Sequence, residues 1–322
     1  MIKKIGVIGS GYTANQHIEA ILKLGADVIG IASRPGSETT VKLAKKFKIP
    51  KIYASAKALI AEIEFFDALV ICTPADAVPQ ILSLVGDKSI PILIEKPAIS
   101  YINSLENFKS MKLYVAYNRR FYETVKIFKE MLSPEEGFYQ IQIVEDKLEI
   151  SNRQEMCKVI CNNSVHYFDL LHFFYGKYSI DKVSAMPGFG GFTASIKSVE
   201  DFQIGIINIY FGSPTNSSIT YQNSTYNLEL KPLETLNKYN YLGVTEPNAK
   251  YKIRQYKPGW TPQSEKQTIF EDSSIKPGYY QQMKAFLNSA SSTTERNSLA
   301  TILDAEFAFS IADALCKKIE NF

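Results

Sequence analysis

The chain has little of what builds metal centres, disulfide scaffolds or nucleic-acid surfaces. It holds three histidines and four cysteines in 322 residues. Cys72, Cys157, Cys161 and Cys316 are scattered and form no C-x-x-C pair, so nothing demands a disulfide framework and no metal is expected. A formal net charge of +3 comes without any Lys/Arg block, which argues against nucleic acid as a partner. No apolar run approaches a membrane span, and the chain opens on a strand pattern instead of a signal-peptide core. The expected setting is therefore a reducing cytoplasm, with no membrane partner.

What is present is an ordinary hydrophobic fraction of 45%, enough for real cores, over a length that suggests about two domains. The first third alternates strand and helix patterns. Strands are expected at residues 3–8, 27–32, 51–53, 67–72, 91–94 and 113–116, with helices at 14–24, 39–47 and 77–84 between them. Continuous apolar strands imply a parallel sheet covered on both faces, and right-handed crossovers give a doubly wound order. After about Asn118 the character changes. Helical patterns at 120–132 and 164–175 flank a strand at 138–150. Residues 180–270 alternate Ile, Val, Tyr and Thr between Gly, Pro and Asn, as in a mainly antiparallel sheet. Two helices, 279–289 and 299–319, close the chain, with a loop expected at 289–294. The fold class expected is an α/β Rossmann doubly wound parallel sheet over residues 1–118, followed over 119–322 by an α+β domain with a large, mainly antiparallel sheet.

The first strand runs straight into Gly9-Ser10-Gly11-Tyr12-Thr13-Ala14, the G-x-G-x-x-A form of the dinucleotide fingerprint. Gly9 permits the tight turn, Gly11 lets a pyrophosphate approach the backbone, and Ala14 lets the helix pack close to the strand. Tyr12 and Thr13 lie in the same turn, whose helix presents N–H groups and a positive dipole end to phosphates. The second strand ends in Ser33-Arg34, with no carboxylate there to repel a 2′-phosphate. Ser33 can donate a hydrogen bond and Arg34 can pair as a fork, which favours NADP over NAD. The fourth strand ends in Cys72-Thr73-Pro74, overhanging the crevice where the nicotinamide half would lie; Thr73 and Pro74 are candidates to contact it, and Thr-Pro equally serves to end the strand.

The fifth strand ends in Glu95-Lys96-Pro97, two charges at the buried end of an apolar run, costly unless paired or used. With the glycine fingerprint and an α+β second half, this motif resembles the Gfo/Idh/MocA family of oxidoreductases, and the resemblance spans essentially the whole chain. It implies that Lys96 reaches both the nicotinamide ribose and the reacting substrate oxygen, with Glu95 in the same cofactor-binding turn. Asn118 and Arg119, after the sixth strand, resemble the family's crossover and are candidates for substrate contact or for fixing the domain junction. Asn162, His166 and Asp169 match the spacing of the family's substrate segment. There the resemblance implies that His166 exchanges the proton. Asn162 stands where the best-known members carry Asp; an amide cannot relay a proton but can bind a sugar hydroxyl. His172 is read as structural.

Together these imply an NADP(H)-dependent enzyme moving a hydride between nicotinamide and a carbinol or keto carbon of a sugar-type substrate, a homodimer or homotetramer through the second-domain sheet. The rivals are a reductase of an imine or tetrapyrrole and a cofactor-binding sensor without turnover.

Overall fold

The computed structural model describes residues 2–100, 105–133, 137–147, 153–186, 190–248, 251–258 and 275–319, without the side chains of 242–258. Two compact units emerge. Met1–Phe121 joins Asp272–Phe309, and Tyr122–Glu271 joins Ser310–Phe322. A single cut near residue 118 therefore misses the return of 272–309 to the first unit. Local pattern marks where an element begins, but not which core its apolar face enters.

The first unit is built on β1 (Lys4–Ile8), α1 (Tyr12–Lys23), β2 (Asp27–Ala32), α2 (Glu38–Phe47), β3 (Lys51–Tyr53), α3 (Ala56–Ile60), β4 (Ala68–Ile71), α4 (Val78–Val85), β5 (Ile92–Ile94) and β6 (Leu113–Val115). The six strands predicted from apolar runs are all present, differing by at most one residue at an end. They pair in parallel in the order 3-2-1-4-5-6, the doubly wound arrangement, with the crevice at the carboxyl ends of β1 and β4. Every residue of β4 and β5 is buried, as strands covered on both faces require. The helix Tyr279–Asn288 adds Met283 and Phe286 to the core beside Ile18 and Ile21 of α1.

The second unit contains α5 (Glu123–Glu130), β7 (Phe138–Glu145), α6 (Arg153–Val159) and α7 (Val165–Tyr175). The antiparallel region follows as β8 (Tyr178–Met186), β9 (Gly191–Ser198), β10 (Gln203–Phe211), β11 (Ser218–Gln222), β12 (Tyr226–Leu230), β13 (Leu236–Asn248) and β14 (Tyr251–Pro258). Eight strands form one sheet in the order 14-13-12-11-7-10-9-8, in which β7 and β10 are the parallel pair. Along β9, Phe192, Ala194 and Ile196 are buried while Thr193, Ser195 and Lys197 are half-exposed. That period of two marks a sheet covered on one face.

Several boundaries differ from expectation. The helix expected at 164–175 begins at Arg153 and passes through a π-helical turn, Ile160–Ser164, before α7. Its Cys-Asn-Asn-Ser stretch has weak helix propensity and hides the continuation. The helix expected from residue 120 starts at Glu123, after a 3₁₀ turn at Asn118–Phe121. In the loop expected at 289–294, Ser292 accepts from the Glu295 N–H at 3.3 Å and caps a short helix, Thr293–Ser298. The last helix covers Ile302–Ile319, after the two-residue strand β15 (Ala300–Thr301) on β6. Residues 148–150, in the predicted strand 138–150, lie outside the described residues. No helix among the described residues is long and apolar enough to cross a membrane.

Candidate functional site

The glycine turn, Thr73 and the Glu95-Lys96-Pro97 turn lie at the carboxyl ends of β1, β4 and β5. At the end of β1, Gly9 has φ +116°, and a Cβ there would sit 2.3 Å from the Cys72 carbonyl oxygen. Its N–H donates to Ala32 O at 2.8 Å, while the Cys72 N–H donates to Ile8 O at 2.7 Å. The turn is thus pinned between β2 and β4, and glycine is required for both conformation and space. Gly11 behaves differently. A Cβ at Gly11 would meet nothing within 4 Å, so its side faces open space. Gly11 is the N-cap of α1; no side chain caps that helix and no acidic residue stands in its first turn. Ala14 is fully buried against the core. An uncapped helix start beside open space fits a diphosphate. The Thr73 hydroxyl oxygen, beyond β4, is buried without a hydrogen-bond partner, as expected of a group awaiting a ligand. The residues present therefore fit a dinucleotide.

Beyond β2, Ser33 and Arg34 line a recess of about 410 Å³ with Ser37, Thr40 and Tyr53. Ser33 hydrogen-bonds the Thr40 hydroxyl. Ser10 of the glycine turn reaches the Thr39 hydroxyl at 2.9 Å and that of Ser37 at 3.3 Å, so hydroxyl groups tie turn and recess together. One expectation needs correction here. Glu38 also lines the recess, so its wall does contain a carboxylate, largely exposed and 3.7 Å from the Lys42 ammonium.

Glu95 is turned inward from the end of β5 and is almost fully buried. Its Oε1 lies 2.8 Å from His17 Nε2 and accepts from the Tyr279 hydroxyl at 3.2 Å. Oε2 accepts from the Lys96 backbone N–H at 3.0 Å. Three donors satisfy a carboxylate that burial would otherwise penalise heavily. The His17 and Tyr279 rings meet edge-on, 4.9 Å between centroids. Burial, and after it the Glu95 charge, raises the Tyr279 phenol well above its usual range. The same two causes push up the Cys72 thiol, against a hydrogen bond with Thr13. Glu95 thus acts from inside as the anchor of the Lys96 turn, whose Lys96–Pro97 bond is cis. His17 and Tyr279 escaped the sequence reading. The available signal was a histidine on the apolar Ala14, His17, Ile18, Ile21 stripe of α1, all buried.

Asn118 and Arg119 lie in the 3₁₀ turn after β6. The Asn118 side-chain amide donates to Pro277 O at 3.0 Å. With its amide turned to suit, Gln282 accepts from the N–H groups of Tyr117 and Asn118, both at 3.2 Å. Arg120 is buried and pairs with Asp304 at 3.1 Å.

Asn162, His166 and Asp169 belong to the second unit. Asn162 stands in the π-turn, while His166 and the fully buried Asp169 follow on α7. Next to them the Ser164 hydroxyl donates to Glu145 Oε1 at 2.7 Å, and Asn163 donates to Glu145 Oε2 at 3.5 Å, fixing the turn to β7. The π-turn was not foreseen; such turns recur at functional sites because they re-aim side chains within a helix.

Residues 3–122 match the Gfo/Idh/MocA family, described as an oxidoreductase family with an NAD-binding Rossmann fold. No curated protein matches the chain by sequence. Among solved structures, it is similar to UDP-N-acetylglucosamine 3-dehydrogenase from Acidithiobacillus ferrooxidans (TM-score 0.74, 14% identity, 100% of this chain and 99% of that one). It is also similar to myo-inositol dehydrogenase from Lactobacillus casei in complex with NAD(H) and myo-inositol (0.72, 16%, 100% and 95%). A levoglucosan dehydrogenase in complex with NADH and L-sorbose gives 0.71 at 13% identity, over 99% and 97% of the two chains. At these identities the likeness establishes the fold.

Proposed function

We propose that this chain, which carries the NAD-binding Rossmann domain of the Gfo/Idh/MocA oxidoreductases, is an NADP(H)-dependent reductase of a keto-sugar or sugar derivative. One observation carries the reading: the Lys96 turn, anchored from within by Glu95, stands at the end of β5 in the unit that holds the glycine turn and the unpartnered Thr73 hydroxyl. Bound there, a nicotinamide dinucleotide supplies hydride transfer to or from a carbinol or keto carbon.

The residues supply position and proton. Gly11 and the start of α1 hold the diphosphate. Tyr12 and Thr13 flank it. Thr73 and Pro74 contact the nicotinamide half, and Ser33 and Arg34 hold the 2′-phosphate. Lys96 places its ammonium on the reacting oxygen, and His166 exchanges that oxygen's proton. Asn162 binds a substrate hydroxyl, Asp169 orients α7 or His166 from its buried position, and Asn118 and Arg119 contact substrate. Sugars and a cyclitol are what the neighbouring dehydrogenases are named for, which supports the substrate class. The half-exposed face of the eight-stranded sheet is the proposed dimer surface, and the cytoplasm the proposed location.

The test is turnover of NADPH with a panel of keto-sugars. Lys96→Met is expected to lower kcat by about 10³-fold, the scale of positioned acid–base catalysis, while the NADPH Kd stays within a few-fold. A near-normal kcat would remove Lys96 from the mechanism. Arg34→Ala is expected to weaken NADPH by about 10-fold or more and NADH hardly at all, since a charge-assisted contact is worth about 1.5–3 kcal/mol. An equal loss for both cofactors overturns the 2′-phosphate role. NADPH binding without turnover of any substrate would favour a sensor.

A further inference from the structure

Three of the four cysteines, scattered in sequence, converge in the second unit. Cys157 lies on α6, Cys161 on the π-turn and Cys316 on the helix Ile302–Ile319. Cys157 and Cys161 are one helical turn apart, so they share a face. The Cys316 thiol is in hydrogen-bonding contact with both. Cys316 is buried, whereas Cys157 and Cys161 are half-exposed, so a small oxidant can reach the outer thiols while the inner one is sheltered. No group of three or more His, Cys, Asp or Glu among the described residues has the arrangement to hold a metal, which leaves thiol chemistry for this cluster.

We propose that Cys161 and Cys316 form a peroxide-sensitive dithiol that closes to an intrachain disulfide. The Cys161 sulfur attacks a hydroperoxide. An S–O bond forms, the O–O bond breaks, and the leaving oxygen takes the Cys161 thiol proton to depart as water or alcohol. Cys161 is now a sulfenic acid, and the peroxide has been reduced. The Cys316 sulfur then attacks the Cys161 sulfur. The S–S bond forms, the S–O bond breaks, and hydroxide leaves with the Cys316 proton as water. Cys161 suits the attacking role: the hydrogen bond from Cys316 holds its thiol below the usual range, outweighing burial and the nearby Cys157 and Asp313. Cys316 suits the resolving role by position, because its thiol already touches the Cys161 sulfur. The bond would fasten the π-turn, and with it Asn162, to the C-terminal helix. None of this depends on the proposed reductase activity.

The test uses the full chain, reduced, desalted and treated with a small excess of hydrogen peroxide. Thiols are then counted with a maleimide, and peptides are mapped without reduction. The expected result is two thiols lost of the four, one intrachain cross-linked peptide pair joining Cys161 to Cys316, and full recovery with a dithiol reductant. In Cys316→Ser, and separately in Cys316→Ala, a sulfenic acid at Cys161 should be trapped by dimedone with no cross-link. Four surviving thiols, a cross-link between chains, or oxidation confined to Cys72 would overturn the proposal.

Discussion

The two sheets use the same residue types to opposite ends. In the first unit, β4 and β5 are apolar and buried throughout, so neither face has room for chemistry. The candidate residues gather just past the strand ends: Gly9 after Ile8, Thr73 close behind Ile71, Glu95 after Ile94. In the second unit the strands alternate, one face is left half-exposed, and the candidate polar residues ride on a helix instead. A strand buried on both faces can offer function only at its end. That is why the first unit's candidate residues lie in turns and the second unit's lie on a helical segment with a widened turn.

The sharpest way to break this comparison is at the glycine turn. Gly9→Ala is expected to cost about 4 kcal/mol, from backbone strain plus collision with a carbonyl that cannot move, read by urea unfolding. Gly11→Ala should leave stability within about 1 kcal/mol, since its Cβ meets open space, yet weaken dinucleotide binding strongly. Similar unfolding losses for the two variants would refute the division between a structural and a ligand-facing glycine.

The next effect lies in the second sheet. Ile207, 1% exposed on β10, should lose about 3 kcal/mol on truncation to Ala. Its neighbour Asn208 points the other way and accepts from the Thr193 hydroxyl at 2.8 Å. Asn208→Val should cost about 1 kcal/mol or less. Comparable losses at both positions would mean that the second sheet is buried on both faces like the first.

The smallest effect is at the amino ends of β1 and β4. Asp67 accepts from the N–H groups of Lys3 and Lys4, both at 2.9 Å, and these bonds hold its carboxyl below the usual range. A depressed folded value stabilises above the unfolded value and is lost as pH falls through the folded one. Wild type should therefore exceed Asp67→Asn by about 1 kcal/mol or less near pH 7, after discounting for exposure. The gap should close as the pH drops below about 3.9. A constant gap across that range would assign the effect to shape instead of charge.

Much of the first unit was legible because its signals are local. Six short apolar runs, each stopped by a charge or turn residue, gave the strands, and Gly9-x-Gly11-x-x-Ala14 gave the crevice. The Glu95-Lys96-Pro97 turn was visible as charge at the end of an apolar strand. Its interior was not. His17 lies 78 residues from Glu95, and Tyr279 lies 184 away. Nothing near Glu95 in the chain announces either donor. The π-turn was hidden because Cys161-Asn162-Asn163-Ser164 reads as a break in helical pattern.

Periodicity and turn chemistry act over a few residues, so the sequence by itself determined the parallel sheet, the alternating sheet and the places where backbone must bend. Which buried carboxylate meets which donor, which unit receives residues 272–309, and which thiols touch are decided by the packing of faces remote in the chain. A buried polar group is stable only with its partner in place, and that partner is supplied by tertiary contact.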